Sequence, residues 1–127
     1  MITGIEHVAI ASPDPARLAQ WYVEILGFAV NHRSTTSRTV FVKAPDGSMI
    51  EIVEASEASA GTPGMSAPGL RHLALTVRDF EVACQQLKER RIPFLGEPTT
   101  KAGNSIVFFT DLDGNLLHLL HREAPLP

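Results

Sequence analysis

The spacing of apolar residues switches from strand-like to helix-like and back, and it does so twice. Residues 5–11 are apolar and partly β-branched, which predicts a strand. Leu18, Trp21, Tyr22, Ile25 and Leu26 then recur at helical spacing. Ser12 or Asp14 can cap this helix, Pro15 suits its first turn, and Gly27 can close it in a left-handed conformation. Three short strands are predicted next, at 28–31, 39–43 and 48–53, with Asp46-Gly47 as turn chemistry before the last. The second pass begins with a strand at 70–77. A helix follows, capped by Asp79, striped by Phe80, Ala83, Cys84 and Leu87, and stopped by Pro93. Strands at 94–96, 105–110 and 116–121 complete it, with Asp113-Gly114 in the matching turn.

The two passes align residue by residue. Gly4-Ile5-Glu6-His7-Val8-Ala9-Ile10 matches Gly69-Leu70-Arg71-His72-Leu73-Ala74-Leu75, and the same offset carries Asp14 to Asp79. An offset two residues longer carries Asp46-Gly47-Ser48-Met49-Ile50-Glu51 to Asp113-Gly114-Asn115-Leu116-Leu117-His118. The order is βαβββ twice, a tandem duplication of the α+β class. One domain is expected over 1–127: module 1 at 1–54, a linker at 55–69 rich in Ala, Ser, Gly and Pro with one helical turn, and module 2 at 70–122. The last residues, 123–127, are expected to fray.

Composition narrows the function classes. A chain of 127 residues with 44% apolar content can bury one sizeable core. Eleven Lys and Arg against fourteen Asp and Glu leave a net charge of −3, so no basic footprint for nucleic acid exists. No apolar run approaches the roughly 20 residues that span a bilayer. The first residues carry no basic region followed by an apolar stretch, so no secretory signal is read. A single cysteine, Cys84, rules out an internal disulfide framework and a Cys-cluster zinc site. The expectation is a soluble, cytoplasmic protein. No phosphate-binding glycine loop, nucleophile elbow or Cys-X-X-Cys is present.

Strand parity selects the candidate chemistry, because side chains alternate between faces. His7 shares a face with Ile5 and Ala9, and His72 with Leu70 and Ala74. Glu51 shares a face with Met49 and Val53, and His118 with Leu116 and Leu120. His7, Glu51, His72 and His118 therefore occupy matched positions in the two modules. Three imidazoles and a carboxylate suit a divalent metal ion: Zn, Ni, Mn, Co or Fe. The bland alternative is a pair of hydrogen-bonded core histidines and an edge glutamate. Matched ligand types at two matched positions, and the cost of burying four such groups without partners, favour the metal. His121 falls on the face opposite His118. Arg38, Lys43, Arg71, Lys101 and Asn104 are read first as solvated strand-end groups and second as a grip for an anionic substrate. Trp21 and Tyr22 are expected in the core. Cys84 is expected to be buried and inert. Residues 88–91, Lys-Glu-Arg-Arg, read as an exposed helix end.

Three segments carry a resemblance to a known family: Gly-Ile-Glu-His-Val-Ala-Ile at 4–10, Tyr-Val-Glu-Ile-Leu-Gly-Phe at 22–28, and Asp-Leu-Asp-Gly-Asn-Leu-Leu-His at 111–118. The chain resembles the vicinal oxygen chelate superfamily, which includes glyoxalases, bleomycin-resistance proteins, extradiol dioxygenases and fosfomycin-resistance enzymes. The resemblance covers nearly the whole chain. It implies a glyoxalase-like fold in which two half-barrels pair into a cup-shaped barrel, often between the chains of a homodimer. It implies metal ligands at His7, Glu51 and His72. The fourth position is normally a glutamate that serves as ligand and proton-transfer base, and here it is His118. That exchange makes the ligand set one charge unit more positive, which favours an anionic, oxygen-chelating small-molecule substrate. The leading implication is a divalent-metal enzyme of the glyoxalase (lactoylglutathione lyase-like) type. It would work through an enediolate-like intermediate, with Glu51 and His118 as the catalytic residues. A second is an Fe(II) extradiol-type dioxygenase using His7, His72 and Glu51. A third is a metal-free binding protein of the bleomycin-resistance type, which stacks planar ligands on aromatics. One Trp, one Tyr and six Phe, mostly at expected core positions, make that surface sparse. The superfamily hosts many chemistries on one scaffold, so the resemblance is more specific for fold than for reaction.

Overall fold

The structure is a computed structural model that describes every residue except 59, 60 and 62. The chain divides into two compact units, Met1–Ala60 and Gly61–Pro127.

The first unit contains β1 (His7–Ser12), α1 (Pro15–Leu26), β2 (Ala29–Arg33), β3 (Val40–Lys43) and β4 (Met49–Glu54). The sheet order is β1-β4-β3-β2, with β1 parallel to β4 and the other pairs antiparallel. Asp14 starts α1 by accepting the backbone N–H of Arg17 (3.2 Å). A cap of this kind contributes about 1 kcal/mol. Gly27 ends the helix at φ 76°, where its N–H meets the carbonyls of Tyr22 and Val23. Pro15, Leu18, Ala19 and Tyr22 are buried on the helix side. They pack where the sheet presents its own buried set: Ile10, Val40, Val42, Ile50 and Ile52. The alternation leaves His7, Ala9 and Ala11 exposed on the other face of β1.

The second unit repeats this plan with β5 (Leu73–Thr76), α2 (Phe80–Glu89), β6 (Thr99–Lys101), β7 (Asn104–Thr110) and β8 (Leu116–Arg122), in the order β5-β8-β7-β6. Asp79 caps α2 through the N–H of Val82 (3.0 Å). The internal alignment extends to strand register. Val8↔Ile50 in the first unit corresponds to Leu73↔Leu117 in the second, and Phe41↔Glu51 to Phe108↔His118. The Asp-Gly turns repeat as well. Ala44 N–H bonds Ser48 O and Gly47 N–H bonds Ala44 O; Asp111 N–H bonds Asn115 O and Gly114 N–H bonds Asp111 O. Both loops, 44–48 and 111–115, are longer than a two-residue hairpin, with the glycines at φ 93° and 88°.

Several boundaries differ from expectation. No strand forms at 94–96. Leu95 N–H makes one bond to Phe108 O (2.8 Å), but Pro93 and Pro98 lack donors and Gly96 turns the backbone to φ 93°. The second strand of the second unit is instead β6, at 99–101. The opening strands run from His7 and Leu73 rather than from residues 5 and 70, and Ile5 and Leu70 are exposed. α2 stops before Pro93 because Arg91 adopts φ 60° and Ile92 N–H closes onto Leu87 O (3.0 Å). The helical turn expected in 55–69 falls partly on residues 59, 60 and 62, outside those described. The described remainder holds turns and bends but no helix. Among the described residues no helix is long and apolar enough to cross a membrane.

Candidate metal centre

In the first unit, the sheet face opposite α1 carries His7, Glu51, Phe41 and His32. Glu51 sits on β4 with Ala9 of β1 and Phe41 of β3 as its register partners. The His7 ring meets Phe41 edge-on, with centroids 5.5 Å apart and planes at 82°. His7 Nδ1 lies 3.0 Å from the carboxylate of Glu6. His32, on β2, approaches Phe41 at 6.1 Å.

The second unit places His72 just ahead of β5, with its ring centroid 4.8 Å from that of His118. Phe108 completes a three-ring cluster, 5.8 Å from His72 and 4.9 Å from His118. His118 is only 5% exposed. Its Nδ1 lies 3.1 Å from the carbonyl of Leu119. A carbonyl can only accept, so Nδ1 carries the hydrogen and Nε2 keeps its lone pair. Metal-ligating histidines are typically anchored in this manner. Burial holds the His118 pKa below the ordinary histidine value; repulsion from His72 and Arg122 adds to this, and the Leu119 bond opposes it.

The separation of the two rings tests whether both can bind one ion. Metal–nitrogen bonds of about 2.1 Å put a ring centroid about 3.2 Å from the ion, so imidazoles bound at roughly 90–110° have centroids about 4.5–5.2 Å apart. The observed 4.8 Å lies within that window. The donor types and the anchored, neutral His118 fit a borderline divalent ion. The second unit thus brings His72 and His118 together, and the first places His7 and Glu51 on one sheet face. Among the described residues no three His, Cys, Asp or Glu side chains converge within the chain. Only His118 of the four is buried; Glu51 is half-buried, and His7 and His72 are exposed.

Other candidates have different roles. Arg38 donates to Glu54 (2.9 Å) and to Asp14 (3.4 Å). Arg71 ties down the linker through the carbonyls of Gly64, Pro68 and Gly69. Lys43 reaches Asn31, and Asn104 accepts from Arg122. Lys101 is exposed in β6. His121 bonds Val77 O and stands beside Cys84, on the helix-facing side of its sheet. Phe41 and Phe108, which the sequence reading did not single out, both lie among the open-face histidines. Parity reveals them: they stand between the buried pairs Val40/Val42 and Val107/Phe109 and so point the other way. His32 has no sequence signal beyond its place in an edge strand.

A sequence profile of the Glyoxalase/Bleomycin resistance protein/Dioxygenase superfamily matches residues 4–119. The chain belongs to this superfamily. The uncharacterized protein YwkD of Bacillus subtilis (strain 168) is 32% identical over 129 residues, covering 96% of this chain and 99% of that one. The solved glyoxylase/bleomycin resistance protein/dioxygenase domain from Frankia sp. EAN1pec superposes with a TM-score of 0.78 at 24% identity, covering 98% and 96% of the two chains. This match shows the shared fold. TnmS3, an antibiotic binding protein from Streptomyces sp. CB03234, superposes with a TM-score of 0.75 at 25% identity, covering 96% and 98%. Superfamily membership agrees with the duplicated βαβββ plan.

The buried histidine of this superfamily member makes its stability pH-dependent. His118 has a folded pKa below the unfolded value of about 6.5. Between the two values the unfolded chain takes up a proton that the folded chain refuses. Its contribution is fully present above about pH 6.5 and is lost on acidification below it. For metal-free protein, the melting temperature of the wild type is expected to fall more steeply than that of His118→Phe over this range. Parallel curves would show that His118 is not held neutral by burial.

Proposed function

We propose that this protein is a divalent-metal-dependent enzyme of the glyoxalase type, acting on a small, anionic, oxygen-chelating substrate. The observation that carries the reading is the repeated donor pair. His7/Glu51 and His72/His118 stand at equivalent positions on open sheet faces, and the His72–His118 spacing suits one ion. In this reading the four residues are the halves of one ligand set, joined by pairing of modules in a homodimer. A divalent ion bound there supplies Lewis-acid polarisation of the substrate's chelating oxygens. Glu51 and His118 are the proton-transfer residues. Glu51, as a carboxylate, would accept the proton and return it as the carboxylic acid. His118 would act at Nε2, the nitrogen left open by the Leu119 bond, and would take a proton there only while that nitrogen is not bound to the ion.

A second reading has its own support. In the His72–Phe108–His118 cluster the His72 ring is exposed and the Phe108 ring half-buried, a surface on which a planar ligand can stack, with His118 buried beside them. One structural neighbour is described as an antibiotic binding protein. On this reading the protein is a metal-free binder of the bleomycin-resistance type.

Elemental analysis of protein purified without a metal-affinity tag separates the possibilities. About one Ni, Zn, Mn or Co per site is the expected result. Iron that is lost in air would move the assignment to an extradiol-type dioxygenase using His7, His72 and Glu51. No metal, even after reconstitution, would overturn the enzyme reading and leave the binder.

A further inference from the structure

On the helix-facing side of the second sheet, away from the proposed metal ligands, lies a cavity of about 540 Å³ between α2 and strands β6–β8. Cavities of this size are typical of small-molecule sites. Its floor is polar. The hydroxyls of Thr100 and Ser105 lie 2.8 Å apart, and His121 stands beside them. Asp79 and Glu81, at the start of α2, form one wall, and Cys84 another.

The first unit places other residues at the equivalent positions. Ser105 and His121 are register partners, and the internal alignment makes them the counterparts of Arg38 and Glu54. Asp79 is the counterpart of Asp14, and both cap their helices. In the first unit, Arg38 donates from Nη1 to Glu54 Oε1 (2.9 Å) and from Nη2 to Asp14 Oδ1 (3.4 Å). Its guanidinium links the helix cap to the last strand. The second unit keeps the cap carboxylate but has a serine in place of the arginine. Ser105 brings no cation to the Asp79 carboxylate, and among the described residues no ion pair reaches Asp79.

We infer that this cavity binds a small molecule bearing a guanidinium or alkylammonium group, seated where Arg38 lies in the first unit. Its N–H donors meet the Asp79 carboxylate, the hydroxyls of Thr100 and Ser105, and His121. His121 donates from Nδ1 to Val77 O (3.2 Å), which leaves Nε2 to accept. Two cations line the cavity. Lys88 holds its ammonium 5.8 Å from the Phe94 ring centroid, and Arg78 is exposed. Glu81 and Asp79 offset their charge. The thiol of Cys84 is buried and brings no negative charge; it is a weakly polar wall for an alkyl chain.

The test is a ¹H–¹⁵N NMR titration of the full chain with methylguanidinium, with butylammonium, and with acetate as the anion control. Either cation is expected to give saturable shifts centred on residues 79–84, Thr100, Ser105 and His121, and acetate none. The double variant Ser105→Arg/His121→Glu installs the first unit's own residues and is expected to weaken binding more than tenfold. Asp79→Asn preserves the helix cap, since asparagine caps as well as aspartate, but removes the charge. It is expected to weaken binding several-fold and guards against a misfolded double variant. Shifts that never saturate, or that persist unchanged in Asp79→Asn, would overturn the site. The same shifts with acetate would overturn its preference for cations.

Discussion

Replacing His72 with alanine is expected to lower the affinity for a divalent ion by more than about 100-fold while leaving the fold intact. Loss of a residue that merely supports a metal ligand typically costs 10–100-fold, and loss of a ligand itself costs at least as much. His72 is exposed and precedes β5, so its truncation removes no ladder bond and opens no core cavity. His7→Ala should behave alike, because His7 occupies the matched position and is also exposed. Metal content by elemental analysis, read beside circular dichroism, checks both variants. If both remain folded and retain a full equivalent of metal, the ligand set is wrong. His118→Glu provides the complement. It places a carboxylate where the superfamily resemblance expects one, and metal affinity should be kept or raised. Since His118 lies against Phe108 and His72, a loss of ordered structure in that variant would show that packing of the three rings governs this face.

Phe109→Ala is expected to destabilise the protein by about 3–5 kcal/mol, the usual cost of deleting a fully buried phenyl group. Phe109 is 0% exposed and pairs across the sheet with Leu117, itself fully buried. Its neighbour Phe108 points to the open face and is only half-buried. Phe108→Ala should therefore cost clearly less stability and act chiefly on the histidine cluster. Urea unfolding of the two variants side by side provides the measurement. A Phe109→Ala loss below about 1 kcal/mol, or equal losses for both, would mean that the face assignment along β7 is wrong.

The contrast between these adjacent phenylalanines marks how far the linear pattern reaches. The order of elements, the Asp79 cap, a first cap narrowed to Ser12 or Asp14, and the register of one unit against the other were legible, because each rests on local rules. Asp14 and Asp79 each cap the helix that starts at the next residue. The Asp-Gly turns repeat because the same residues demand the same left-handed glycine. The failed strand at 94–96 was a different matter. Phe94 and Leu95 look like strand residues, but two flanking prolines and Gly96 outweigh their propensity, and one bond to Phe108 is all that remains. The role of Arg38 was equally hidden. Its partners Asp14 and Glu54 are distant in sequence and adjacent only once α1 lies on the sheet.

For the candidate site, the sequence alone determined the residue types and their pairing by position: His7 with Glu51, His72 with His118. Side-chain alternation and the internal repeat require that much, since both follow from backbone geometry. Only the tertiary structure decided what surrounds those groups. It buried His118, anchored its Nδ1 on Leu119, and set its ring beside His72 and Phe108. It also let Arg38 close one helix–sheet gap, while Ser105 left the equivalent gap open. Burial and hydrogen-bond partners depend on which strands lie side by side and on how a helix sits against them. Those relations join residues far apart in the chain, and no local pattern contains them.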